Sequence, residues 1–322
     1  MRRATLMTSI VLTLVGFHGT GAAEAKSGSL QARDVARERK ASLLIRVAPG
    51  DWGNANPAEI EALLNSVGNE MLKHFPGSQV PPIIVSPSRN GPLVMYQKGP
   101  SNEYQVLLAA KDTHWAEYVY EFSHELLHIL AGYDLRAPTR TARHQWFEEM
   151  LCETASLYML KRYALSWDVL APRTEWKGYT AELQRFTNRA FSEKHRRLPV
   201  NVTFEDWYQE NGQSLATKPY LREKNELVAM MFLPLLEQIQ DWRAIGYLNL
   251  DNREGDPTLQ DYLARWYRKT PVAQRQLVKN TFGVFHFNLP AEDAGPAAAG
   301  MQAAVQAEVS MPDEGAAGKR GR

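Results

Sequence analysis

One pentapeptide constrains this chain more than any other feature: His124-Glu125-Leu126-Leu127-His128, set inside a run at residues 115–131 whose apolar side chains recur at helical spacing. At about 100° per residue, Trp115, Val119, Phe122, Leu126, Ile129 and Leu130 share one stripe, and His124 and His128 fall on the opposite side. The chain must therefore place a helix so that one face packs while the other presents two imidazoles stacked one turn apart. Such a pair can reach a single divalent ion, with the intervening glutamate beside it. Chance produces H-E-x-x-H in a chain of this length on the order of one time in a hundred. The competing reading is a pair of hydrogen-bonded core histidines, so a third ligand must carry the distinction.

Three nearby carboxylates compete for that role. In Trp146-Phe147-Glu148-Glu149-Met150-Leu151-Cys152-Glu153, the residues Phe147, Met150, Leu151 and Tyr158 make an apolar helical stripe, while Glu149 and Glu153, one turn apart, point the other way. Two carboxylates aimed inward from so apolar a helix need a cation or hydrogen-bond donors; otherwise they form a solvated acidic edge. The spacing also admits Glu148. Asp134, six residues after His128, fits the metzincin pattern H-E-x-x-H-x-x-G-x-x-H/D only if glycine occupies 131, and here Ala131 precedes Gly132. Asp134 is thus a minor alternative.

H-E-x-x-H followed some twenty residues later by a helix of the form W-x-x-E resembles the gluzincin metallopeptidases, among them thermolysin and the aminopeptidase N family. The resemblance implies a zincin-like fold of two lobes, Zn2+ held by His124, His128 and Glu149, and Glu125 as the general base that works with a metal-activated water on a peptide bond. It implies that Glu153 orients the first histidine from behind. Trp146 and Glu153 both stand in register with Glu149, which favours it over Glu148, although Met150 replaces the small residue that usually follows the ligand. The segment Tyr220-Leu221-Arg222-Glu223-Lys224-Asn225-Glu226 resembles the Y-x-K-G segment of the aminopeptidase N family, making Tyr220 a candidate oxyanion donor or an ordinary interfacial tyrosine. The G-x-M-E-N amine-anchoring motif is absent, so free N-termini need not be the target. The strand at 104–110 resembles the edge strand on which zincins lay an extended substrate. Cys152 reads as a small buried hydrophobe rather than a ligand. The expectation is an endopeptidase acting on peptides or proteins, with exopeptidase action open; the alternatives are a catalytically inactive zincin-fold binding or regulatory module, and a metal-free polar network.

The rest of the chain reads as α+β. Residues 42–47, 82–85, 93–97 and 104–110 have strand character, and residues 56–75 a helical stripe opened by Pro57. Helices follow at 145–162, 179–191, 220–240 and 259–269. The expected organisation is a signal peptide at 1–25, an α/β N-terminal lobe at 26–131 carrying the H-E-x-x-H helix, a helical C-terminal lobe at 132–290 carrying the third ligand, and a disordered tail at 291–322. The leader combines Arg2 and Arg3, an apolar run of about 14 residues and the small-residue end Ala22-Ala23-Glu24-Ala25. That run is short of the roughly 20 residues a bilayer crossing needs, so no stable span is expected once it is removed. Export to the periplasm or beyond follows. A single cysteine excludes an internally stapled miniprotein. The 37 basic and 36 acidic side chains nearly cancel, which argues against nucleic acid or an anionic membrane surface as partner.

Overall fold

The computed structural model describes residues 43–135, 144–250 and 257–291. The first of these stretches builds a small mixed sheet. Strands β1 (Ile45–Val47), β2 (Ile83–Pro87) and β4 (Tyr104–Leu108) run parallel, and β3 (Leu93–Val94) lies antiparallel against β4, in the order β1-β2-β4-β3. Ile45 pairs with Ile83, Ile83 with Tyr104, and Leu93 with Leu107. Parallel neighbours require a crossover, and helix α1 (Pro57–Leu72) supplies it between β1 and β2. Pro57 takes the first helical position, where its missing N–H costs nothing, and the Asn56 side chain accepts from the Ala58 amide at 2.9 Å. Ile83, Val85, Tyr104, Val106 and Leu108 are buried while the residues between them are half-exposed, so one sheet face carries the core. Gly68 lets α1 sit close on this face: a Cβ there would lie 2.6 Å from Leu43 Cδ2 and 3.0 Å from Ile45 Cδ1.

Helix α2 (Trp115–Leu130) follows β4 and packs against α1 and against α3 (Trp146–Leu170). It ends where Gly132 adopts φ +70, the left-handed conformation that glycine takes without strain. Around α3 gather α4 (Thr180–Ser192) and α6 (Arg222–Gln238), with α5 (Phe204–Thr217), α7 (Leu259–Lys269) and α8 (Gln276–Val284) completing the helical part. The start of α3 is locked by aromatic packing. The Phe147 ring stands 5.8 Å from both Phe232 and Trp266, and Trp146 is wholly buried beside it. These anchors fix the rotation of α3 about its axis, and with it the direction of the carboxylates that follow.

The α+β reading therefore holds, with three differences. The strand at 104–110 is not an edge: β4 lies between β2 and β3, and the exposed edge beside the H-E-x-x-H helix is β3. The helix expected at 145–162 continues to Leu170 past a non-helical Ser166 (φ −135, ψ 24). Helices α5 and α8 were not anticipated, although Thr203, which accepts from the Asp206 amide at 3.1 Å, is an N-cap signal readable in the sequence. The expected signal peptide at 1–25 and, apart from Ala291, the expected tail at 291–322 lie outside the described residues. No helix among the described residues is long and apolar enough to cross a membrane.

Candidate metal centre

The side-chain pairings between α2 and α3 run in opposite directions along the two helices, from Tyr120 with Glu153 to His128 with Glu148. Between these ends the rings converge. His124 Nε2 lies 3.5 Å from Glu149 Oε2, and His128 Nε2 lies 3.6 Å from the same oxygen. These separations are long for strong hydrogen bonds. Each is near the ~3.3 Å that separates two ligands held at ~2.0–2.1 Å by a tetrahedral zinc.

Both imidazoles are backed by acids. His128 Nδ1 donates to Glu148 Oε1 at 2.7 Å, and the other Glu148 oxygen accepts from Asn249 Nδ2 at 2.8 Å, which also reaches the Ala131 carbonyl at 3.0 Å. With its proton on Nδ1, His128 turns the Nε2 lone pair towards Glu149. Glu148 is thus occupied behind the ring, with both of its oxygens paired. Glu153 stands behind His124, with 4.0 Å between Oε2 and Nδ1, beyond direct hydrogen bonding. Its Oε1 accepts from the Tyr120 hydroxyl and from Arg196 Nη1 at 2.8 Å. Arg196 is itself buried and reaches Glu226 at 3.3 Å. Asp134, the metzincin alternative, is paired with Lys98 at 2.8 Å and accepts from the Tyr104 hydroxyl. It does not join the cluster.

Cys152 is closer to the centre than a packing role requires. By distance alone His124, His128 and Cys152 form a candidate ligand group, with ligand atoms within 4.8 Å of one another. Burial pushes the metal-free thiol up to about 12, so binding an ion through sulfur would release its proton. Glu149 is ionised and faces the Nε2 atoms of both rings, which makes it the better third donor for zinc.

The electrostatics of the cluster call for positive charge. Burial disfavours the imidazolium of each ring, yet Glu149 and Glu125 around His124, and Glu149 and Glu148 around His128, outweigh it and raise both rings. Burial likewise works against an ionised Glu149, and the two facing imidazoles overcome it and hold this carboxyl well below the usual range. Two protons or one divalent cation satisfy the same demand. Glu125 differs. Burial raises its carboxyl above the ordinary value, against the pull of the neighbouring imidazoles.

The cluster opens into a cavity of about 590 Å³ lined by Glu125, Glu149 and Tyr220, with Leu93 and Val94 of β3 along one side. Tyr220 stands two residues before α6 rather than opening it, is 68% exposed, and its hydroxyl accepts from Gln145 Nε2 at 3.1 Å. The structure thus brings His124, Glu125, His128 and Glu149 together, sets Tyr220 on the same cavity wall, and leaves Asp134 out. Sequence reasoning missed Tyr120, which lies one turn before His124 and was open to discovery by helical spacing. It also missed Arg196 and Asn249, for which no local signal exists. No protein-family model, curated protein or solved structure matches the chain.

Proposed function

We propose that this chain is a zinc-dependent peptidase of gluzincin type, with a zincin-like two-lobe fold, in which His124, His128 and Glu149 hold the metal and Glu125 is the general base. One observation carries the reading: two Nε2 atoms from one helix stand at ligand-to-ligand distance from a single carboxylate oxygen of the next, on the wall of an open cavity. A zinc ion bound there supplies Lewis acidity towards a carbonyl and lowers the pKa of a water ligand.

The chain's own residues do the rest. The outer edge of β3 pairs with an extended peptide through backbone hydrogen bonds, which bind substrate while reading little of its sequence. Glu125, buried and with a raised carboxyl, takes a proton as water adds to the peptide carbonyl and delivers one to the departing amine as the C–N bond breaks. Tyr220 supplies a hydroxyl to the carbonyl oxygen as negative charge develops. Glu148 and Asn249 hold His128, and Glu153 with Tyr120 and Arg196 braces the His124 side. The leader pattern read in the sequence at 1–25 supports an activity outside the cytoplasm, in the periplasm or the medium.

The test combines elemental analysis with digestion of a proteome-derived peptide library. Wild type and Glu125→Gln should each carry about one zinc per chain. The variant should lose on the order of 10²–10⁴ of the cleavage rate. A protein without stoichiometric zinc, or a variant that cleaves as fast as wild type, refutes the assignment. Zinc present with no cleavage anywhere in the library replaces it with the inactive binding module.

A further inference from the structure

Cys152 is the single cysteine of the chain, and its surroundings are not those of an ordinary buried thiol. It stands three positions after Glu149 and four after Glu148, so these side chains project from neighbouring positions of α3 towards α2. A cysteine that merely fills space needs only apolar neighbours. Here the sulfur lies within 4.8 Å of a nitrogen of each imidazole of the metal pair. One pair of histidines is therefore shared by an oxygen donor and a sulfur donor on the same helix. The two differ in softness: carboxylate suits hard and borderline ions, and thiolate selects soft ones.

We propose that the centre has two alternative ligand sets built on His124 and His128, completed by Glu149 for zinc and by Cys152 for a thiophilic ion such as Cd2+ or Cu+. This rests on reading the two histidines as metal ligands, and it does not depend on peptidase action. On binding, the S–H bond breaks, the proton leaves to solvent and a sulfur–metal bond forms, with nothing oxidised. Held by Cys152 in place of Glu149, a thiophilic ion would occupy the same two histidines.

The experiment titrates the metal-free full chain with Cd2+ and, separately, with Zn2+, following the sulfur-to-cadmium charge-transfer absorption in the ultraviolet. With one cysteine in the chain, that band has one source. Wild type should develop it up to about one equivalent. Glu149→Gln should develop it equally. Cys152→Ala should lack it and bind Cd2+ at least about tenfold more weakly, while its zinc affinity stays within about threefold. Cadmium bound without the band, or equal cadmium affinity in Cys152→Ala, overturns the second ligand set and leaves the zinc site intact. Failure of wild type to bind either ion overturns both this inference and the metal reading beneath it. The wild-type spectrum decides the matter even if the alanine variant folds poorly.

Discussion

Exchanging Glu148 and Glu149 for glutamine, one at a time, separates the proposed metal ligand from the residue proposed to hold one. At 148 the glutamine oxygen still accepts from His128 Nδ1, where the native bond is 2.7 Å. Its amide nitrogen then faces the Asn249 amide, a donor set against a donor where a 2.8 Å hydrogen bond stood. The position is 1% exposed, so water does not relieve the conflict. Replacing such an outer carboxylate weakens metal binding by about 10–100-fold, or ~1.4–2.7 kcal/mol. The unsatisfied buried donor lowers fold stability by about 1–3 kcal/mol besides. At 149 the substitution removes the charged oxygen that faces both Nε2 atoms, and the loss should exceed that of Glu148→Gln by a further tenfold or so. Zinc competition against a chromophoric chelator measures both constants, with circular dichroism confirming that each variant is folded. If Glu148→Gln weakens zinc as much as Glu149→Gln or more, the two roles are misassigned and the reasoning from the 3.5 and 3.6 Å separations is wrong.

Two further outcomes test the frame around the site. Gly132→Ala forces a side chain into φ +70, with its Cβ 3.1 Å from Leu135 Cδ1; the left-handed conformation costs ~1–2 kcal/mol. A fall in Tm of about 2–8 °C is expected, and an unchanged melt would show that α2 does not rely on this stop. His74 stacks on Trp242 at 4.0 Å with its Nδ1 2.9 Å from the Gln240 carbonyl, and burial lowers its pKa below the ordinary 6.5. The neutral ring's contribution is complete above 6.5 and is lost as pH falls through the lower, folded-state value. Urea midpoints from about pH 8 down to about pH 5 should therefore decline below 6.5 in wild type, by at most ~1.4 kcal/mol per pH unit from this group. His74→Phe should flatten that decline; identical slopes in the two proteins would remove His74 as its cause.

What the sequence exposed and what it concealed divide along the reach of each interaction. The H-E-x-x-H helix, the Asn56–Pro57 start of α1 and the carboxylates of α3 depend on neighbours within a turn or two, and their spacing alone placed them. The choice between Glu148 and Glu149 does not. The two lie about 100° apart on one helix, and only the rotation of α3, set by Phe147 against Phe232 and Trp266, decides which meets the cavity and which passes behind His128. The edge of the sheet was misjudged for a related reason: two residues, Leu93 and Val94, pair beyond β4 and take the edge from it, and no periodicity exists in a strand so short. Arg196 was the least legible of all. In sequence it belongs to a basic run, Lys194-His195-Arg196-Arg197, that reads as a solvated face. In the fold it is 4% exposed and neutralised by Glu153 and Glu226, acids that lie 43 and 30 positions away. Candidate ligands are thus placed by local sequence, while the groups that orient them are supplied by tertiary packing. In the part of this site built from distant residues, a search by motif alone finds nothing.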